Sequence, residues 1–323
     1  MKVLTALYQP TDAIDRAQAL REAGAAGVFT FEGPNDVFAP LTLASTVGGL
    51  DLMTNVAIAF PRNPIHLAHQ AHDHQVLSGG RFTLGLGTQI RTQIEKRFGA
   101  DFERPVGRMV ELIAALRAIF DAWSTGERLD FRGEFYRHTL MTPNFTPAPS
   151  PYPPPPIYVG ALGPQLTRAT ARHADGLLVM PFGSKRFLQQ VTMPAVREGL
   201  AAAGRTEFAV VPEIIVSAGD DHTSARRLLA FYGSTPAYRP VLEAHGWGDL
   251  QPELHALSKQ GRWQEMGDLI DDEVLTTIAA CGTPKEIAAH IADRVDGVAD
   301  TVCIYQPAPI GYHTLAEIID ALP

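Results

Sequence analysis

The sequence predicts a single (β/α)₈ TIM barrel with insertions, spanning residues 1–323. Three observations carry this. Apolar runs of strand length alternate with amphipathic helical stretches from one end to the other, eight such runs occur, and no GxGxxG follows the first of them. Alternating βα units give parallel strands joined by right-handed crossovers. Eight units favour a closed barrel over an open sheet, and without the glycine fingerprint a dinucleotide-binding open sheet loses its main support. A length of 323 residues suits one barrel with additions.

The predicted strands are Val3–Tyr8, Gly27–Phe31, Val56–Phe60, Phe82–Leu86, Ile157–Val159, Leu177–Met180, Val210–Ser217 and Thr301–Tyr305. Between them, Ile14, Ala17 and Leu20 repeat at helical spacing, and a helix is expected from about Ala39 to Leu50. Pro64 suits the first turn of a helix running to Leu77, which Ser78-Gly79-Gly80 closes. Val106–Trp123 reads as a long amphipathic helix, and Thr283 with Glu286 has the spacing of a capping box. Residues 125–156 break the pattern. Phe131–Phe135 suggests a small hairpin, and Pro143–Pro156 holds eight prolines, which fit neither a helix nor a central strand. This segment is expected to be a surface insertion that could lie across the barrel mouth, with a domain linker as the alternative.

Composition narrows the function. Lys plus Arg number 27 against 35 Asp plus Glu, a net charge of −8 with no basic block, so a nucleic-acid or anionic-membrane partner is disfavoured. No run approaches the roughly 18 apolar residues of a membrane span. The N-terminal MKVLTALYQP has no signal-peptide pattern. Two cysteines, Cys281 and Cys303, lie far apart, which fits a reducing cytoplasmic setting and not a disulfide framework. His66, His69, His72 and His74 recur along one helix, but without a Cys or an HExxH-type pattern they are read as a helix face and no metal site is expected.

Several motifs, in order, resemble the luciferase-like monooxygenase superfamily, and within it the branch of oxidoreductases that use the 5-deazaflavin coenzyme F420. They are Phe60-Pro61-Arg62-Asn63-Pro64, then Leu77-Ser78-Gly79-Gly80-Arg81-Phe82 with Leu84-Gly85-Leu86-Gly87, then Ile157–Pro164 leading to Ala174-Asp175-Gly176, and last Cys281–Ile287. The resemblance covers nearly the whole chain and implies a luciferase-like barrel. It also implies a small-molecule substrate and assembly as a homodimer or higher homo-oligomer. Two departures matter. Thr88-Gln89-Ile90 follows the LGxG run, and Glu32-Gly33-Pro34-Asn35 stands where many members carry an acid–His pair.

The expected site lies at the carboxyl ends of the strands, where barrel enzymes build their chemistry. Gly160, Ala161, Leu162, Gly163, Pro164 and Gln165 form a glycine-bearing strand-to-helix turn. Its free N–H groups and helix dipole suit a phosphate, although a plain tight loop would carry the same residues; the resemblance assigns it the cofactor phosphate. Gly87, Thr88 and Gln89 leave room for a flat ring and can hydrogen-bond a pyrimidine edge, although a plain glycine turn would look the same. The resemblance alone implies a non-proline cis peptide at Val56–Ala57, give or take one residue, and sets Ala57 and Ile58 behind the ring. Glu32 and Asp36 are the candidate catalytic acids. Asn35 or Asp36 could instead cap the next helix, and Tyr8 and Gln9 are placed similarly. No Lys or Arg lies within Phe29–Ala39, so Glu32 is expected to be buried without a local ion pair and to act as a protonated acid. The expected function is hydride transfer between F420 and an organic substrate. The alternatives are an FMN-dependent monooxygenase using O₂ and a non-catalytic cofactor-binding barrel.

Overall fold

A computed structural model describes residues 1–323. Eight parallel strands close on themselves: β1 (Lys2–Ala6), β2 (Gly27–Thr30), β3 (Asp51–Thr54), β4 (Phe82–Gly87), β5 (Ile157–Gly160), β6 (Gly176–Val179), β7 (Ala209–Ala218) and β8 (Thr301–Tyr305). β8 pairs with both β7 and β1, which closes the ring. A two-residue strand, Ala57–Ile58, runs beside the end of β4, and Ala280–Gly282 adds to the end of β7 outside the ring.

Period-two alternation sets the two faces of every strand. Val3, Val28, Leu52, Leu84, Val159 and Val302 point outward and pack against Leu20, Leu41, Leu67, Leu112 and Leu116 of the surrounding helices. Each such fully buried side chain contributes about 1.5–3 kcal/mol. Their neighbours Leu4, Phe29, Met53, Leu178, Val211 and Cys303 point inward and fill the barrel. Stepping two residues further along each strand gives Ala6 and then Tyr8, Phe31, Asn55, Met180, Glu213 and Tyr305, the layer at the carboxyl-end mouth.

Most element boundaries follow the sequence expectation. Pro64–Leu77 forms a helix capped by Asn63, whose side chain accepts from the Ile65 N–H. The Thr283–Glu286 capping box is present, and Phe131–Arg132 pairs with Arg137–His138 as the small hairpin. Two expectations fail. The third barrel strand is Asp51–Thr54, not Val56–Phe60; only Ala57–Ile58 of the latter is extended, as a short continuation past a break. The run LDLMT contains the charged Asp51, which hid a strand whose Leu52 and Met53 are nonetheless buried. The proline-rich segment also does not cross the mouth. Gln75 donates to the Pro153 carbonyl, Leu84 N–H donates to the Pro156 carbonyl at the start of β4, and Tyr152 packs over Gly80. The physical reason is topological. A segment leading from a helix into a parallel strand arrives at that strand's amino end, the face opposite the mouth.

Where β3 breaks, the chain is locked to β4. The Thr54 hydroxyl donates to the Gly85 carbonyl at 2.7 Å and accepts from the Gly85 N–H at 2.9 Å. A Cβ on Gly85 would sit 1.8 Å from the Thr54 carbonyl oxygen. Gly85→Ala is therefore expected to cost about 3 kcal/mol or more, the upper end of overpacking penalties. Gly107→Ala, at an exposed position in the first turns of the Pro105–Thr125 helix where a Cβ meets nothing within 4 Å, should be neutral or stabilising by about 0.4–1 kcal/mol. Urea denaturation of the two variants against the parent checks both.

Candidate active site

A cavity of about 460 Å³ opens at the carboxyl ends of the strands. Seven of the eight strands reach it, through Phe31, Asn55, Gly87, Gly160, Leu178, Glu213 and Tyr305. Tyr232, Ala237 and Tyr238, from the helical stretch after β7, cover one side. Ala237 and Tyr238 belong to the single turn Pro236–Tyr238.

The break after β3 builds the floor. The peptide bond Asn55–Val56 is cis, one residue ahead of the expected position and within its stated range. Val56 turns its side chain over Gly87, where a Cβ would lie 2.3 Å from Val56 Cγ2, and towards Gly160 at 3.2 Å. Gly87 is thus glycine to admit Val56, not to leave an empty slot for a ring. Gln89 adopts φ +56°, and its side-chain oxygen accepts from the Ile90 N–H. Thr88, Gln89 and Ile90 all line the cavity, as do Ile58 and Gly160–Gly163.

The turn after β5 has the expected form. Gly163 is the N-cap of the helix Pro164–His173, with φ −73° and ψ 146°, an ordinary extended backbone. A Cβ there would meet nothing within 4 Å. Neither backbone nor packing requires glycine at this position. Ala57, Pro164 and Gln165 do not reach the cavity wall. Ala57 is fully buried beneath it, and Pro164 and Gln165 form the first turn of the helix.

Glu32 and Asp36 sit differently from their expectation. Glu32 lines the cavity, but Arg62 grips its carboxylate in a fork, with N–O distances of 2.7 and 3.1 Å. The same carboxylate accepts from the Ile58 N–H at 3.1 Å, and Arg62 also donates to the Ile58 carbonyl. The expectation of an acid without an ion pair is corrected by a cation thirty residues further along, Arg62. Such a bidentate pair holds strand Ala57–Ile58 in place. Asp36 is exposed and accepts from the Phe38 and Ala39 N–H groups, the helix-capping alternative, and it does not line the main cavity. Asn35 donates to the Tyr8 carbonyl. The histidines are structural. His74 contacts the Gln70 carbonyl and Thr42, while His69 and His72 pack on Trp123.

Sequence reasoning passed over Glu213. It is the one charged residue in β7, where it is 8% exposed, and its carboxylate accepts from the Asn55 side-chain amide at 3.0 Å. Burial pushes its proton equilibrium up to about 8, against a smaller lowering by the Asn55 hydrogen bond. A signal was available: an acid inside the apolar run VVPEIIVSA, in phase with the inward-pointing Val211. Around it stand Tyr8, Tyr305 and Phe31, with ring centroids 5.5–6.3 Å apart, and the edge-on pair Tyr232 and Tyr238 at 6.1 Å. Burial raises the hydroxyl pKa of Tyr8, Tyr232, Tyr238 and Tyr305, so these act as neutral hydrogen-bonding walls.

Fold and site together define a (β/α)₈-barrel enzyme with a broken third strand beneath a mouth cavity. The chain belongs to the luciferase-like monooxygenase family, a family of oxidoreductases, whose model matches residues 3–301. An uncharacterized protein of Mycobacterium tuberculosis is 49% identical over 300 residues, covering 90% of this chain and 88% of its own. An F420-dependent glucose-6-phosphate dehydrogenase of Kineococcus radiotolerans is 33% identical over 238 residues, 72% of this chain and 65% of its own. The coenzyme F420-dependent tetrahydromethanopterin reductase of Methanopyrus kandleri superposes with a TM-score of 0.81 at 18% identity, covering 98% and 96% of the two chains, and shares the fold. No helix is long and apolar enough to cross a membrane.

Because Glu32 and Arg62 hold one another and Ile58, Glu32→Gln should lower stability by about 1–3 kcal/mol. Arg62→Gln should do likewise. A double-mutant cycle should give a coupling of about 0.5–3 kcal/mol, measured by chemical denaturation. Additive losses would mean that the pair does not act as a unit.

Proposed function

We propose that this chain is an oxidoreductase that moves hydride between coenzyme F420 and a small organic substrate. The observation that carries the reading is the joint arrangement of Asn55–Val56, Gly87–Gln89 and Gly160–Gly163 at the carboxyl ends of three adjacent strands. They frame one cavity with an apolar floor and a polar rim. The F420-dependent names of relatives support the choice of cofactor.

The residues present fit a deazaflavin. Val56, Ile58 and Leu166 offer apolar surface for a flat ring, and Thr88 and Gln89 offer hydrogen-bonding groups for its polar edge. The turn Ala161–Gly163, with the N-terminus of a ten-residue helix behind it, offers N–H groups and a favourable dipole for a phosphate. That Gly163 faces open space supports this role. When bound, the deazaflavin supplies two-electron hydride exchange with a carbon of the substrate. The chain supplies position, exclusion of water and proton management. The Glu32–Arg62 clamp fixes the Ala57–Ile58 floor, and the tyrosine walls restrict solvent.

The test is a fluorescence titration of the apo-protein with F420 and with FMN. Tighter binding of F420 is expected. Micromolar FMN binding with no F420 binding would overturn the proposal in favour of a flavin monooxygenase. Gly163→Val should keep the fold, because a Cβ there meets no neighbour. It should weaken cofactor binding at least about tenfold, or about 1.4 kcal/mol. Normal binding by the folded variant would remove the turn from the cofactor site.

A further inference from the structure

We propose that Glu213 is the proton-transfer residue of this active site, and that the tyrosine-walled compartment in front of it takes a substrate without negative charge. This rests on the oxidoreductase reading above. Two independent observations carry it, the charge inventory of the cavity and the placement of Glu213.

Glu32 and Glu213 are the only charged residues along the cavity wall. No Lys, Arg or His lines it. Glu32 is already neutralised by Arg62. Arg16 lies 5.4 Å from the centroid of the Tyr8 ring but is not part of the wall. A carboxylate or phosphate on the substrate would therefore be desolvated without a counter-ion and would face the Glu213 carboxyl. The alternative would be protonation or exclusion, since an unpaired buried charge is strongly disfavoured. The compartment instead presents Phe31, Met180, Tyr232, Tyr238 and Tyr305, which suit an apolar body carrying a neutral polar group.

Glu213 has one oxygen, Oε2, engaged by Asn55, and no second hydrogen-bond partner. Asn55 belongs to the cavity floor, so the carboxyl is tied to the wall that the cofactor ring would lie against. The titratable groups around Glu213 are Tyr8, Tyr232, Tyr305 and Cys303, and burial holds each of them protonated. Glu213 is therefore the group in this cluster that can exchange a proton near neutral pH. In the reducing direction, its carboxyl would give a proton to the substrate heteroatom as the adjoining carbon gains the hydride that a bound deazaflavin would supply. The carbon–heteroatom double bond becomes single, and the resulting carboxylate regains a proton from water. In the oxidising direction the carboxylate takes the heteroatom's proton.

The proton equilibrium can be read without substrate. The native carboxyl holds its proton up to about pH 8, whereas the unfolded one releases it near pH 4.5. This group's contribution to stability is therefore complete below pH 4.5 and falls as pH rises to about 8. Glu213→Gln should remove that fall, so its Tm relative to the parent should rise from pH 5 to pH 8.5. A constant difference would overturn the assignment of the proton. Binding of cyclohexanone and of cyclohexanecarboxylate to the F420-loaded protein, followed by cofactor fluorescence at pH 6.5 and 9, tests the charge preference. The carboxylate should bind at least about tenfold more weakly than the ketone, and the gap should widen at pH 9 in the parent but not in Glu213→Gln. Equal affinities, or a pH-dependent gap that persists in the variant, would overturn the proposal. If Glu213→Gln fails to fold, Asn55→Ala provides the second arm: loss of its hydrogen bond should move the transition upward, and an unmoved transition would overturn the proposal. Failure of the parent to bind F420 would instead defeat the oxidoreductase reading, while the stability measurement would still report on Glu213.

Discussion

The site depends on one junction, the reciprocal hydrogen bonding of the Thr54 hydroxyl with the Gly85 peptide. It joins β3 to β4 at the point where β3 stops. Because Gly85 has no side chain, the Thr54 carbonyl can approach the backbone of β4 more closely than any other residue type would allow. The chain then turns through Asn55 and Val56 and resumes pairing with β4 at Ala57–Ile58. Three consequences follow from this local geometry. Val56 fills the space above Gly87, Asn55 points its amide at Glu213, and Ile58 presents its peptide to Glu32 and Arg62.

The two carboxylates of the cavity illustrate how environment assigns different roles to the same chemistry. Glu32 meets a guanidinium fork and a backbone N–H, so its charge is compensated and it serves as a structural clamp. Glu213 meets one neutral amide and several apolar or phenolic side chains, so burial dominates and its proton is retained to about pH 8. Neither difference is contained in the residue type. Each follows from what the neighbouring strand ends bring within hydrogen-bonding distance.

The outer face and the mouth of the barrel also divide labour. The helix-facing residues form a continuous apolar core, and the amino-end face is packed by the proline-rich segment and Tyr152. Stability is concentrated there. The mouth tolerates a broken strand, a left-handed Gln89 and a buried acid. Such local departures from regular structure cluster where function is built, because the surrounding scaffold holds them in place.

The barrel is legible in the order of the amino acids. Eight apolar runs with helical segments between them leave little topological choice, and the start signals at Pro64 and at Thr283–Glu286 marked helix starts that the structure reproduces. It also pointed to Gly87–Gln89 and Gly160–Gly163, because glycine at strand ends is visible as composition. Which side chains meet is a matter of the folded ring. The third strand was hidden by a charged first residue. The partner of Glu32, Arg62, lies in the turn ahead of the Pro64–Leu77 helix, and Asp36 was drawn into capping by its own local backbone. Glu213 stayed unnoticed because a lone acid in a strand becomes informative only when closure of the ring places it opposite Asn55 and among the tyrosines. Period and propensity are local properties of the chain, whereas the pairing of charges across a barrel is set by distances that exist only once the ring has closed.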